Sequence, residues 1–224
     1  MKPRLDFKGA VDWLVGHFSE VLPPEPVTPP TVLAALRRAE PASKLRLPRP
    51  APSQLARVCD YLIAQRRLPP SLVRSLIDAG TLYADARANA VFLLHDDHHR
   101  PVGAELRGTT GAPWRGLAPG SQKDLGCFAV PVETQPTVVL CESAIDAISC
   151  FALHPQYRCL STAGARPDPR WLGPLLNQGR QVYCGFDADP TGDAMADAMI
   201  ALHPPIRRLR PSQHDWNDVL ETRA

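Results

Sequence analysis

Three carboxylates, those of Asp187, Asp189 and Asp193, lie within the stretch "GFDADPTGD" at residues 185–193, directly after the apolar run "QVYC". Carboxylates at this spacing could bind a divalent metal, include a phosphoaspartate nucleophile, or cap the helix that follows. A Mg²⁺ or Mn²⁺ site uses several hard oxygen ligands, so it would also recruit carboxylates from elsewhere in the chain. The candidates for this are Glu142, Asp215 and Asp218, and Asp146, one helical turn after Glu142, would support them from the same side.

Alternating strand and helix patterns after Pro131 predict how these side chains are positioned. The strand-like runs are "TVVLCE", "YRCLST", "QVYCGFD" and "IRRLR", and helical patterns such as "SAIDAISCFALH" and "PTGDAMADAMIALH" separate them. This alternation is typical of a parallel sheet flanked by helices, where ligands bind at the carboxyl ends of the strands. Glu142 would end the first strand, and Asp187 with Asp189 the third, while Asp215 and Asp218 would follow the fourth. We therefore expect these carboxylates to converge, and their mutual repulsion favours a bound cation.

Two other interpretations account for part of the acidic pattern. Helix capping explains Asp189 before Pro190 and Asp193 one turn later, but it does not explain Glu142 and Asp187 at strand ends. The run "VYCGFDADPT" also fits the haloacid-dehalogenase-like nucleophile motif, which requires a downstream Lys. The 31 residues after Asp193 contain no Lys, which disfavours this second interpretation.

The remaining chain predicts two further regions. Residues 53–130 form a small α+β region, with two helices broken at Pro69-Pro70, a β-hairpin in "NAVFLLHDDHHRPVGAELRG" and the loop "GLAPGSQKDLG". Residues 1–52 combine the helical pattern "DFKGAVDWLVGHF" with a linker, because nine of the 25 prolines fall within residues 23–52. Residues 131–224 form the third region.

Composition limits the classes of function. Residues 1–130 carry 17 Lys and Arg against 12 Asp and Glu, whereas residues 131–224 carry 8 against 11. A basic region joined to an acidic one is compatible with polyanion binding beside metal binding. The six cysteines form no CxxC pair, so we expect reduced core thiols and no zinc site. With no leader-like or membrane-spanning pattern, we expect a cytoplasmic protein that does not bind membranes.

Residues 134–220 resemble the Toprim domain of bacterial primases, topoisomerases and some nucleases. The family motif Glu-Gly-x-x-Asp is similar to "ESAID" at 142–146, with Ser143 in place of the usual Gly. The motif Asp-x-Asp is similar to "DADPTG", which includes Gly192, and the closing acidic motif to "HDWNDVL", which includes Asn217. The resemblance implies a Toprim-type parallel sheet preceded by a small α+β domain.

The resemblance extends upstream. Residues 58–128 resemble the small domain that precedes Toprim in bacterial primases, most closely in plasmid and integrative-element proteins. By this resemblance, Arg107 of the hairpin and Lys123 of "GSQKDLG" would contact nucleotide or DNA. The run "KGAVDWLVGHF" resembles the helix that ends a primase zinc-binding domain, but no Cys precedes Cys59, so we expect that domain to be lacking.

The family implies metal-dependent phosphoryl chemistry. Glu142, Asp187 and Asp189 would be catalytic, with Asp215 or Asp218 completing the sites for one or two Mg²⁺ or Mn²⁺ ions. We expect a primase-like nucleotidyltransferase that makes short primers from nucleoside triphosphates on single-stranded DNA during replication or transfer of a mobile element such as a plasmid. A helicase or another replication or mobilisation protein would be its partner. The alternatives are a Toprim nuclease and a degenerate nucleic-acid-binding accessory protein.

Overall fold

The computed structural model describes residues 44–111, 114–130 and 135–223. The helix expected within residues 1–43, and most of the proline-rich linker, lie outside this range. Within it the chain forms six α-helices and two β-sheets. Among these helices, none combines the length and the apolar character that crossing a membrane requires.

Two helices open the described region, as the sequence predicts. A 3-10 turn, Pro52–Gln54, leads into helix α1, Leu55–Asp60, which continues as a π-helical segment, Tyr61–Gln65. Helix α2 spans Pro70–Asp78, with Pro in the first turn, where a missing backbone N–H has no consequence. Gly80 ends it at φ +70°, a backbone conformation that suits glycine best.

An antiparallel sheet of four strands follows, with the strand order β1-β2-β3-β4. Its strands are β1 (Leu82–Ala84), β2 (Asn89–His95), β3 (Pro101–Gly108) and β4 (Arg115–Leu117). The predicted hairpin is β2 and β3, and its turn is closed by Asp96, whose Oδ1 accepts from the backbone N–H groups of His98 and Arg100. Strands β1 and β4 were not predicted, and β4 takes up residues expected to form a loop.

The second sheet has five strands in the order β5-β7-β6-β8-β9. They are β5 (Phe128–Val130), β6 (Thr137–Cys141), β7 (Arg158–Ser161), β8 (Gln181–Cys184) and β9 (Arg207–Arg208). The last four run parallel, and β5 adds an antiparallel edge beside β7. Its helices are α3 (Ala144–Leu153), α4 (Leu172–Asn177), α5 (Pro190–Leu202) and α6 (Trp216–Arg223).

The second sheet is covered on both faces, which explains its nearly continuous apolar runs. Val138 and Leu140 of β6 pack with residues of α4 and α5. Val139 and Cys141 point to the opposite face, where they share one core with α1, α2, α3, β2 and Trp216. The predicted fold class, a Toprim-type parallel sheet flanked by helices and preceded by a small α+β region, is confirmed. The exact division of the chain at residue 130 stays a prediction.

Candidate metal centre

The centre forms where two neighbouring parallel strands end. Strands β6 and β8 pair in parallel, with Leu140 opposite Cys184, so the residues that follow them leave the sheet at the same edge. Glu142 directly follows β6, and its Oε1 accepts a hydrogen bond from the backbone N–H of Asp187 at 3.1 Å. The structure thus brings together two acidic residues that are 45 residues apart in the chain.

Asp187 is one of two buried carboxylates at this edge, the other being Asp146. The exposure of Asp187 is only 9%, and its buried Oδ1 has no hydrogen-bond partner among the described residues. Burial raises its pKa to about 8, and the negative charges of four neighbours add to the shift. These neighbours are Asp146, Glu142, Asp215 and Asp189. A buried carboxylate oxygen without a donor is costly, and a cation would satisfy it.

Glu142 and Asp146 are placed by the N-terminus of α3. Ser143 caps this helix: its Oγ accepts from the Asp146 backbone N–H at 3.3 Å and donates to Asp146 Oδ2 at 2.6 Å. Ser143 has an extended backbone, φ −132° and ψ 164°, so the turn does not require the glycine that the family usually has there. Asp146 is buried, and burial together with the charge of Asp215 raises its pKa to about 6.

Asp189 caps a helix with one carboxylate oxygen and has the other oxygen near the closing acidic motif. Its Oδ1 accepts from the backbone N–H of Gly192 at 2.7 Å and so caps α5. Its Oδ2 lies 3.6 Å from Nε2 of His214, on the side of the closing acidic motif. Gly192 is required because a Cβ there would lie 2.3 Å from the carbonyl oxygen of Asp187. This close approach packs the start of α5 against the Asp187 backbone.

The closing motif "HDWNDVL" surrounds the start of α6. Asp215 Oδ1 accepts from the backbone N–H of Asp218 at 2.7 Å. Potential ligand atoms of His214, Asp215 and Asp218 lie within 4.8 Å of one another. Asp215 is the member whose charge reaches both Asp146 and Asp187. His214 was not among the predicted site residues.

Asn217 and Trp216 lie beneath the acidic surface. The Asn217 amide is buried and donates to the Arg66 carbonyl at 2.8 Å and to Ser149 Oγ at 3.0 Å. Its backbone N–H bonds to Asp146 and lowers the pKa of that carboxyl. Trp216 is also buried and donates from Nε1 to the Gly185 carbonyl at 2.8 Å. Both residues therefore fix α6 against the strand ends.

Two arginines that the sequence analysis missed hold the Asp187 loop in place. Arg208 donates to the carbonyl groups of Cys184, Phe186 and Asp187 at 2.9–3.1 Å. Arg208 and Arg210 both bind the carboxylate of Asp193 at 2.9–3.0 Å, and these bonds lower its pKa to about 2. Asp193, expected as a helix-dipole residue, does lie in the first turn of α5 but also forms this ion pair.

Basic side chains border the carboxylates. Arg107 of β3 stands opposite Arg115 of β4. The Arg107 charge lowers the pKa of Asp146, and that of Arg115 lowers the pKa of Glu142, which burial otherwise raises. Lys123 is half-buried, with its Nζ 3.2 Å from the Ala163 carbonyl, and burial lowers its pKa. The charges of Arg107 and Arg115 thus reach candidate carboxylates, whereas Lys123 contacts the loop at Ala163 and its charge interacts with that of Glu105. The role of Lys123 at the centre stays a prediction.

The donor set fits a divalent cation. The charges of four neighbouring carboxylates reach Asp187, whose buried Oδ1 lacks a donor among the described residues. The potential ligand atoms that lie within 4.8 Å of one another in this region are those of His214, Asp215 and Asp218. Hard oxygen ligands of this kind are those that Mg²⁺ and Mn²⁺ prefer.

Two family models each match a part of the chain. Residues 60–132 match the model described as "Protein of unknown function (DUF3991)", and residues 139–220 match the model described as "Toprim-like". A 65 kDa protein of Zymomonas mobilis subsp. mobilis is 27% identical to this chain over a match of 242 residues. That match covers 96% of this chain. The match covers 40% of the length of that curated relative.

Solved primase structures share the fold. The primase fragment of the bacteriophage T7 primase-helicase protein has a TM-score of 0.60 at 15% identity, over 84% of this chain and 81% of that one. The RNA polymerase domain of the Mycobacterium tuberculosis primase has a TM-score of 0.55 at 13% identity, over 74% and 72%. The Aquifex aeolicus primase, with its zinc-binding and RNA polymerase domains, has a TM-score of 0.51 at 16% identity, over 96% and 64%. This chain therefore carries a Toprim-like domain, at residues 139–220, within the fold of bacterial and phage primase catalytic cores.

Proposed function

We propose that this chain is a metal-dependent nucleotidyltransferase of the primase type, which joins nucleotides on a single-stranded DNA template. The observation that carries the proposal is the buried, donorless Oδ1 of Asp187 within a group of carboxylates at a strand edge. Asp187, Asp189 and Asp215 or Asp218 would hold one or two Mg²⁺ or Mn²⁺ ions. When bound, such ions stabilise the attacking and leaving oxygens of an in-line phosphoryl transfer.

Glu142 has the geometry of a proton acceptor or a further ligand. Its Oε1 is occupied by the Asp187 N–H, and no hydrogen bond from the described residues reaches Oε2. Burial raises the Glu142 pKa, as a general base requires. In nucleotidyl transfer Oε2 would accept the proton of a nucleotide 3′-hydroxyl. The 3′-oxygen would attack the α-phosphate of the incoming triphosphate, and the bond to the β-phosphate would break to release pyrophosphate.

The basic border supplies the complementary charge for the substrates. Arg107 and Arg115 are cross-strand neighbours, and their charges reach Asp146 and Glu142, respectively. Fixed cations beside an acidic centre suit a triphosphate or a DNA backbone. Lys123 would bind the same substrates through the Nζ donors that its hydrogen bond to the Ala163 carbonyl leaves free.

A helicase or another replication or mobilisation protein is a suitable partner class, since the solved T7 relative is a fragment of a primase-helicase protein. The same proposal includes a role in the replication or transfer of a plasmid or another mobile element.

The test is incubation with single-stranded DNA, labelled nucleoside triphosphates and Mg²⁺ or Mn²⁺, with extension and cleavage followed on one gel. Asp187→Asn and Glu142→Gln should abolish labelled products. Asp97→Asn, in an exposed hairpin turn, is the matched control and should be fully active. Shortened DNA without incorporation would instead identify a nuclease. Neither activity, with DNA binding unaffected by either substitution, would identify a binding module.

A further inference from the structure

Glu105 is an acidic side chain on the antiparallel sheet that contacts the start of α3, two residues after Glu142. On β3, Ala104 and Leu106 face one small core, and Glu105 points the opposite way, beside its cross-strand partner Phe92. Phe92 belongs to the core shared with the parallel sheet. Glu105 therefore faces the Toprim-like domain, and it was not among the predicted site residues.

Its two oxygens bind the exits of two adjacent parallel strands. Oε2 accepts from the backbone N–H of Ala144 at 3.1 Å, two residues after Glu142 and at the first position of α3. Oε1 accepts from the hydroxyl of Ser161, the last residue of β7. Strands β6 and β7 pair in parallel with Cys141 opposite Ser161, so one carboxylate joins both strand ends.

The same contacts continue to the backbone of Glu142. Ser161 Oγ accepts from the Ala163 N–H at 3.1 Å, and the Glu142 carbonyl accepts from the Gly164 N–H at 2.7 Å. Lys123 also holds this loop, because its Nζ donates to the Ala163 carbonyl. The chain from Glu105 through Ser161 thus reaches the turn that carries Glu142.

We propose that Glu105 is a positioning residue for the metal centre: by binding Ala144 and Ser161 together, it fixes the turn from which Glu142 reaches Asp187. This inference rests on the proposed metal centre. Residues that orient metal ligands through hydrogen bonds typically change the metal affinity by about 10- to 100-fold when they are replaced.

The test is Mn²⁺ binding to the full chain, followed by the electron paramagnetic resonance signal of free Mn²⁺, with thermal unfolding recorded in parallel. Burial raises the Glu105 pKa to about 7, so a buffer of about pH 8 keeps the carboxylate ionised. Glu105→Gln keeps the shape of the side chain, but its NH₂ group would face either the Ala144 N–H or the Ser161 hydroxyl, where an acceptor is needed. This variant should weaken Mn²⁺ binding by about tenfold. Ser161→Ala removes one donor and should weaken binding by about threefold or more.

Glu221→Gln is the matched control, because Glu221 forms a surface ion pair with Arg66 at 3.7 Å. It should bind Mn²⁺ as the wild type does. Glu105→Gln with wild-type affinity and only a lower unfolding temperature would overturn the proposal. If that variant does not fold, an unchanged affinity in Ser161→Ala would overturn it instead. A wild-type chain that binds no Mn²⁺ would refute the metal centre itself, whereas binding lost in Asp187→Asn but kept in Glu105→Gln would refute only the role of Glu105.

Discussion

The backbone N–H of Asp187 donates to Oε1 of Glu142 at 3.1 Å, so one candidate ligand positions the backbone of the other. This bond joins the segments that follow two neighbouring parallel strands. A substitution at Glu142 can keep the accepting oxygen and remove the negative charge.

Glu142→Gln and Glu142→Ala separate the hydrogen bond from the charge. The amide oxygen of Gln can still accept from Asp187, so we expect Glu142→Gln to keep the metal-free stability of the wild type. Glu142→Ala leaves that N–H without a partner and should lower the free energy of unfolding by about 1–3 kcal/mol. Urea unfolding measures both, and an equal loss in the two variants would contradict the assigned bond.

Arg208→Met tests the support of the Asp187 loop. Arg208 donates to three backbone carbonyl groups and to Asp193, all within 3.1 Å. We expect a loss of about 2–4 kcal/mol in the free energy of unfolding, because several partners are left unsatisfied together. The control, Arg207→Met, alters the exposed neighbour on β9 and should change stability by less than about 0.5 kcal/mol. Similar values for the two variants would rule out this role of Arg208.

The ion pair of Asp193 predicts a pH dependence. Its arginine partners hold the folded-state pKa at about 2, below the ordinary value of 3.8. A carboxyl with a depressed folded-state pKa stabilises the fold above its unfolded pKa and loses this contribution as the pH falls through the folded value. Asp193→Asn should therefore be less stable than the wild type at neutral pH, and the difference should shrink between about pH 4 and pH 2. A difference that stays constant in urea titrations across this range would contradict the pairing.

Gly192→Ala tests the close packing of α5 on the Asp187 backbone. An added Cβ would lie 2.3 Å from the Asp187 carbonyl oxygen, so the loop must move, and we expect a loss of about 1–3 kcal/mol. Gly173→Ala is the matched control, because its Cβ would meet nothing within 4 Å in helix α4. Alanine there should change the stability by less than about 0.5 kcal/mol, because the gain in helix propensity is opposed by the restriction that Pro174 places on the preceding residue. Thermal unfolding distinguishes the two, and a tolerated Gly192→Ala would show that the packing is loose.

The apolar runs predicted the strand ends because a strand buried on both faces has a recognisable composition. Parallel pairing then follows from the intervening helices, and it brings Glu142 and Asp187 to one edge. The capping positions of Asp189 and Ser143 also follow local rules, since each bond spans three residues.

The supporting contacts could not be predicted in this way. Glu105 meets Ser161 across 56 residues and two sheets, and Arg208 meets Asp187 across 21 residues. Such contacts depend on strand register and on how the two sheets pack, which local patterns do not encode. One signal was present: Arg208 and Arg210 alternate at the spacing of an extended chain, which places them on the same side.

Thermal unfolding with increasing Mg²⁺ or Mn²⁺ tests the metal centre most directly. Metal that binds only the folded state should raise the unfolding temperature of the wild type and of the exposed control Asp97→Asn. Asp187→Asn removes the buried carboxylate that lacks a donor, so it should be more stable than the wild type without metal and gain nothing when metal is added. A metal-dependent gain in Asp187→Asn equal to that of the wild type would contradict the account.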